Sequence, residues 1–404
     1  MIDVRPCASL EEMRDGLNVI EHYFGSPSDL EGAERFAGWM ELERMHVAFD
    51  EGRIVGGTGA FSFRLAVPGG EVAAAGVTVA GVLPSHRRRG VLTALMRAQL
   101  DDVARRGEPV AYLWASEGTI YGRFGYGLAS RVGMARIDRD RAAFSLPFTP
   151  RGSVRLVDAE EAAVLFPPLY ERLRAERPGM FARTDTWWRT RRLRDDPARR
   201  RGGGPNNLAV LDLDGEPAGY AIYRVEQDWH PSGFSTGTVT IIEAIAPTPE
   251  GTRELWRWLL DFDWTAGFVA DFLPLDHPLF LLLAEPRRTE FQLGDGLWVR
   301  LVDVGAALSA RGYASSDEVV LDVEDAFLPQ NTGRWRVGPG GAERTDAAPE
   351  LRLDVTGLGS VYLGGFRFVD LVRAFRAEEL APGAADRGDA LFRTSALPWC
   401  AEIF

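Results

Sequence analysis

Residues 80–127 read AGVLPSHRRRGVLTALMRAQLDDVARRGEPVAYLWASEGTIYGRFGYG, and the fold turns on how this stretch is read. A short apolar run, Val77 to Leu83, stops at Pro84 and gives way to a turn of small and basic residues. Leu92, Leu95, Met96, Leu100 and Val103 then recur at helical spacing, and Arg105, Arg106 and Gly107 mark the end of that helix. The first N–H groups of a helix lack internal acceptors and lie at the positive end of its dipole, so strand, basic turn and helix in this order suit an anion. Gly90 allows close approach to the backbone, and arginines can grip phosphate oxygens with two donors. A run of arginines alone fits a solvated turn equally well. The strand before it and the helix after it make the reading a pyrophosphate cradle.

Arg87-x-x-Gly90-x-Leu92, following the strand end Val82-x-Pro84, resembles the acetyl-CoA loop of the GNAT N-acetyltransferases. Those enzymes usually carry Gly or Ala where Leu92 stands, a mild departure because a backbone amide does the binding. Ser116 to Tyr126, SEGTIYGRFGY, resembles the second GNAT signature with its helical tyrosine. Taken together the two stretches are similar to the Eis (enhanced intracellular survival) family, and the resemblance runs the length of the chain. It implies an α/β (α+β) protein with tandem GNAT-like domains followed by a sterol-carrier-protein-like C-terminal domain.

The resemblance also implies a site. Backbone groups of Ala80, Gly81 and Val82 would pair with the pantetheine arm of acetyl-CoA, and Arg88, Arg89, Gly90, Val91, Leu92 and Thr93 would hold the pyrophosphate. Ser116 and Glu117 stand where the family contacts the coenzyme. Tyr121 matches the proton donor; Tyr126 is the runner-up, expected to pack in the following strand. The family's base is the C-terminal carboxylate, here that of Phe404. A free α-carboxyl has a pKa of about 3.3–3.7, which burial would raise. The residue before it is Ile403, with Glu402 one place further back.

Composition narrows the class. At 404 residues two or three domains are expected, and 46% hydrophobic with 26% charged residues is the balance of a globular protein. A net charge of −12 disfavours nucleic acid and favours cationic partners. Cys7 and Cys400 cannot make a disulfide framework, so a reducing cytoplasm is the expected compartment. Asp3, Arg5, Glu11 and Glu12 interrupt any secretory leader, and Pro278 to Ala284 is too short to span a membrane. No lysine occurs, which rules out self-acetylation on a lysine side chain. No metal is expected.

Along the chain, a helical pattern around Leu10, Met13, Leu17 and Ile20 leads into an acidic stretch to about Met45. Its interleaved Tyr23, Phe24, Phe36 and Trp39 would suit polycationic amines. In the Eis family this region binds part of the substrate, and the family's acidic position is occupied by His22. Strands at Met45–Phe49, Ile54–Val67 and Val72–Leu83 precede the cradle; Val110–Trp114 and a closing strand, Ala129–Ile137, follow it. The first domain is expected over 1–150. A second α/β unit, 151–295, contains a hairpin at Asp214-Gly215. Arginines 189, 191, 192, 194, 199, 200 and 201 precede that hairpin and read as a mobile surface loop.

Thr240 to Leu260 repeats the strand–Pro–turn–helix layout of residues 79–100, without the arginine triplet. Pro249 and Glu250 stand where the phosphate would sit, so this copy reads as a GNAT-like domain that has lost its coenzyme. The third unit, 296–404, opens with a strand from Leu297 to Val304, and its Leu358–Gly365 stretch resembles the sterol-carrier-like domain. The tail Pro398–Phe404 is more apolar than an ordinary frayed terminus.

Acetyl transfer to amines of aminoglycosides, polyamines or protein lysines is therefore the expected activity, in a homohexamer such as the family forms. Acylation of a small thiol precursor, as in tandem-GNAT mycothiol synthases, and non-enzymatic lipid binding are the alternatives.

Overall fold

The structure, a computed structural model, describes residues 2–25, 27–200 and 202–404, except the side chain of Arg199. It divides into two compact units. One comprises residues 1–130, 296–398 and 403–404; the other comprises residues 131–295 and 399–402.

The first unit begins with an edge strand, β1 (Asp3–Pro6), which the helical pattern of the first residues conceals. Helix α1 (Leu10–Phe24) starts where Ser9 Oγ accepts from Glu12 N and ends at Gly25, left-handed at φ 68°. After α2 (Leu30–Ala37) come β2 (Met45–Asp50), β3 (Arg53–Val67) and β4 (Gly70–Val82). Glu51 and Gly52, both at positive φ, make the tight turn between β2 and β3. Helix α3 (Val91–Arg105), β5 (Val110–Trp114), α4 (Gly118–Tyr121) and the short β6 (Gly127–Leu128) follow.

The second unit takes β7 (Arg131–Asp138) and β8 (Ser153–Val157), then helices α5 (Ala159–Arg174) and α6 (Asp185–Trp187). Next come β9 (Asn207–Leu213), β10 (Glu216–Glu226), β11 (Thr238–Ile245), α7 (Pro249–Leu259), β12 (Gly267–Leu273) and β13 (Gln292–Asp295). Its sheet runs β13-β7-β12-β11-β10-β9-β8. Asp214 and Gly215 sit at φ 52° and 88°, the backbone of the expected hairpin.

Strand β14 (Leu297–Leu301) returns to the first sheet, whose order is β1-β2-β3-β4-β5-β14-β6. The chain closes with β15 (Val319–Glu324), β16 (Gly333–Gly338), β17 (Gly341–Arg344), β18 (Leu351–Asp354) and β19 (Ala377–Glu379), a separate five-stranded sheet. The layout is thus mixed α/β with three mixed sheets.

Two strands are not where the sequence pattern put them. The strand expected to close the first sheet is β7, whose Ala135 and Ile137 are buried with Ile241, Leu255, Trp256 and Phe268 in the second core. The strand expected to open the third unit is β14, hydrogen-bonded between β5 and β6. Alternation of apolar residues shows that a strand is half-buried, not which sheet buries it. The arginine-rich stretch also differs from a mobile loop. Residues 185–192 are helical, and Arg192 pairs with the buried Glu243 at 2.9 Å. Arg201 and the Arg199 side chain lie outside the described residues.

Candidate active site

Strand β4 makes the site by leaving its neighbour. It pairs in parallel with β5 from Ala74↔Val110 to Val77↔Leu113, and there the pairing stops. Val79 sits at φ 47°, and the register with β3 slips between Gly57 and Gly59. This bulge turns the end of β4 away, so Ala80, Gly81 and Val82 line an open wedge. Beyond it Arg88 at φ 61° and Gly90 at φ 81° swing the chain into α3. Gly90 caps that helix with no side-chain hydrogen bond, and the first internal N–H bond is Ala94 N to Gly90 O at 3.0 Å. The N–H groups of Val91, Leu92 and Thr93 therefore precede the first internal bond and face outward. A Cβ on Gly90 would meet nothing within 4 Å, so space there is open to a ligand.

A single cleft of about 780 Å³ is lined by Ala80, Gly81, Val82, Arg88, Gly90, Val91, Leu92, Thr93, Ser116 and Glu117. Tyr23 and Phe24 of α1 line it too. The Tyr23 hydroxyl donates to Val82 O at 2.6 Å and accepts from Arg87 Nε at 3.1 Å, clipping the basic turn to α1. Arg89 stands apart from its neighbours. It binds Asp50 at 2.8 Å, beside His86, because the left-handed Arg88 reverses the direction of the chain.

Tyr121 ends α4 directly after Thr119 and Ile120, which line the cleft. Its ring packs edge-on to Tyr126 at 6.0 Å and is 6% exposed. Burial pushes the Tyr121 phenol up from its ordinary value; the Ser116 hydrogen bond opposes this and Glu117 adds to it. Tyr126 is fully buried, its hydroxyl has no hydrogen-bond partner, and burial pushes its phenol up further.

Phe404, the last residue of the sequence, is 6% exposed. Its ring packs edge-on to Tyr112 at 5.0 Å, Phe63 at 5.3 Å and Phe61 at 6.4 Å. Its main-chain oxygen accepts from Thr78 Oγ1 at 3.1 Å. Gly76 makes room: a Cβ there would lie 2.5 Å from Phe63 and 3.2 Å from the Phe404 ring. Phe404 therefore covers the Gly76–Thr78 face of β4, while Tyr121 clusters with Ala75 and Val77 of the other face. Thr78 was not visible in the sequence as a site residue; only the fold brings it to the chain end.

In the second unit β11 and β12 pair from Thr238↔Gly267 to Ile241↔Ala270 and then part in the same way. Helix α7, however, carries a side-chain cap on its first turn. Thr248 Oγ1 accepts from Gly251 N at 3.1 Å, Pro249 has no N–H, and Glu250 pairs with Arg151 at 3.0 Å.

Residues 4–129 match an acetyltransferase (GNAT) domain, residues 179–301 a second such domain, and residues 304–401 a sterol carrier protein domain. The splayed strands and the open helix start after them define a GNAT N-acetyltransferase. An uncharacterized N-acetyltransferase of Streptomyces avermitilis is 44% identical over 96% of this chain and 95% of its own. N-acetyltransferase Eis of Mycobacterium bovis is 38% identical over 81% of this chain and 80% of its own. The crystal structure of Eis1 from Mycobacterium abscessus aligns at a TM-score of 0.86 and 37% identity, covering both chains in full. The chain belongs to the Eis-like GNAT N-acetyltransferases. Membership implies acetyl-CoA as acyl donor. Among the described residues no helix is long and apolar enough to cross a membrane.

Proposed function

We propose that the chain transfers acetyl from acetyl-CoA to an amine of a cationic substrate, an aminoglycoside, a polyamine or a protein lysine. The acceptor nitrogen attacks the thioester carbonyl, the C–N bond forms, and the C–S bond breaks. Tyr121 gives its phenolic proton to the departing thiolate, and the Phe404 carboxylate takes the proton of the amine, directly or through one water. Ala80 to Val82 hold the pantetheine arm along the free edge of β4, and the N–H groups of residues 91–93, with Arg88, hold the pyrophosphate. Ser116 and Glu117 complete the coenzyme contacts. The net charge of −12 and the aromatic residues of α1 and α2 support a cationic acceptor.

The observation that supports this reading most is the hydrogen bond from Thr78 to the Phe404 main-chain oxygen, one residue beyond the last β4–β5 pair. With Tyr121 clustered against Ala75 and Val77, it supports a carboxylate and a phenol flanking the strand near the wedge where a thioester would enter. The test is steady-state acetylation of a panel of amines, read by thiol release, with native-ended protein and protein carrying a few residues after Phe404. The extension is expected to lower kcat by about 10²–10⁴. Equal turnover, with the extension confirmed by mass, would sink the carboxylate assignment. A homohexamer and a cytoplasmic location belong to the same proposal; sedimentation at micromolar concentration tests the first.

A further inference from the structure

The second unit holds a cluster of buried charge that acetyl transfer does not use. Arg183, whose side chain is 0% exposed, lies between α5 and α6 and grips Glu243 with two hydrogen bonds, 3.0 and 2.7 Å. Glu243 also takes Arg192 at 2.9 Å and the Tyr220 hydroxyl at 2.7 Å. The remaining edge of the Arg183 guanidinium, Nε, lies 2.6 Å from Glu402 Oε1, and Trp187 Nε1 donates to the same oxygen at 3.1 Å. The guanidinium lies over the rings of Tyr170 and Trp188, 4.0 and 4.7 Å from their centres.

Glu243 and Glu402 reach this cluster from informative places. Glu243 lies on β11 just beyond Ile241, where β11 and β12 part. Trp399 and Ala401 line a small cavity there with Ile242, Glu243, Asp271, Phe272 and Leu273, residues of both parted strands. Trp399 N donates to Pro178 O at 2.8 Å, and its indole N–H donates to Phe272 O. Gly179 permits this approach at φ 94°, since a Cβ would stand 2.9 Å from Trp399 O. The wedge that in the first unit is open is here filled by the chain's own residues 399–402.

An apolar tail could be held by apolar contacts alone. Burying a carboxylate against an arginine is costly unless geometry is fixed, and what such a pair adds is register. Only two peptide units separate the Glu402 α-carbon from that of Phe404, so whatever fixes Glu402 restricts Phe404 through covalent bonds. We propose that Arg183 and Glu402 form a lock that positions the Phe404 carboxylate, and that the second unit's parted strands, free of coenzyme, serve as its seat. The inference rests on Phe404 being the proton acceptor. Arg183, Glu402 and Trp187 are positioning residues and touch no reacting atom.

The test uses the full chain ending at Phe404. Glu402→Gln keeps the shape and the oxygen that accepts from Trp187 but removes the charge facing Arg183. Its kcat is expected to fall by about 10²-fold, the scale of a misplacement near 1 Å, with acetyl-CoA affinity by calorimetry unchanged. Amide exchange at residues 399–404 should quicken, and Glu402→Asp should restore part of the rate. If Glu402→Gln does not fold, Trp187→Phe, which removes one donor to Glu402, should show a smaller loss of the same kind. Full kcat in the folded variant overturns the lock, as does a loss of kcat with tail exchange unchanged. An extension beyond Phe404 run alongside separates the two ideas. Extended protein inactive with Glu402→Gln fully active rejects the lock and keeps the carboxylate; extended protein fully active rejects both.

Discussion

Gly90 does two jobs with one missing side chain. Its left-handed backbone at φ 81° starts α3, and the space a Cβ would take is open. Gly90→Glu strains this left-handed position and also sets a negative charge at the positive end of the helix, where the pyrophosphate would lie. Charges near a helix terminus are worth up to about 2 kcal/mol, so acetyl-CoA affinity should fall by up to about 30-fold. Calorimetry that shows equal affinity in a folded variant would count against the cradle. Tyr121 makes the second prediction at this scale. Burial raises its phenol above 10.0, so it holds its proton across the neutral range and the alkaline limb of kcat should lie above an ordinary tyrosine's. Tyr121→Phe should lower kcat by about 10²–10⁴ and abolish that limb, with acetyl-CoA binding retained. Tyr121 and the residues of the basic turn could be read from the chain because each belongs to a local motif. Thr78 could not, because its partner is 326 positions away. Arg89 is the reverse case. It sits in the motif, but one left-handed residue turns it to Asp50.

Among the elements, the comparison of α3 with α7 carries most weight. Both follow a strand that parts from its neighbour, and both were visible as a repeat in the sequence. They differ in the first turn: α3 has no side-chain cap, whereas in α7 Thr248 accepts from Gly251 N, Pro249 has no N–H, and Glu250 sets a negative charge there. Each chain should therefore bind one acetyl-CoA. A titration endpoint near two per chain would show the second wedge to be a working site. The hairpin at Asp214-Gly215 was legible because Asp and Gly readily take the positive φ that the turn needs. The destinations of β7 and β14 were not. Their apolar alternation is satisfied equally by either sheet, and only the complementary shape of a core selects between them.

On the scale of the molecule, buried charge sets how the protein meets acid. Burial pushes the Glu243 carboxyl up, but Arg183 and Arg192, with the hydrogen bonds of Arg183 and Tyr220, outweigh it and hold the group at about 2. An unfolded glutamate titrates near 4.3. The folded unit therefore binds fewer protons at this position, its stabilisation is complete above that value, and it is lost as pH falls towards 2. Tryptophans 187, 188 and 256 lie buried in the same unit and should report an acid transition between those limits. Glu243→Gln should cost about 3–5 kcal/mol at neutral pH, as loss of one partner in a buried pair does, and should remove most of that acid dependence. A variant as stable as the parent at pH 7 would mean that the cluster holds nothing together.

The oxygen that Thr78 holds belongs to the main chain, and this changes what inheritance can do to it. Any missense codon at position 404 leaves that main-chain oxygen in place; it alters only the ring that rests among Phe61, Phe63 and Tyr112. Substitution scanning would therefore register position 404 as a tolerant packing site, with bulky apolar residues preferred. What the chain presents there is a backbone atom, so residues joined after Phe404 would disturb it, and such a change escapes a survey that counts amino-acid replacements.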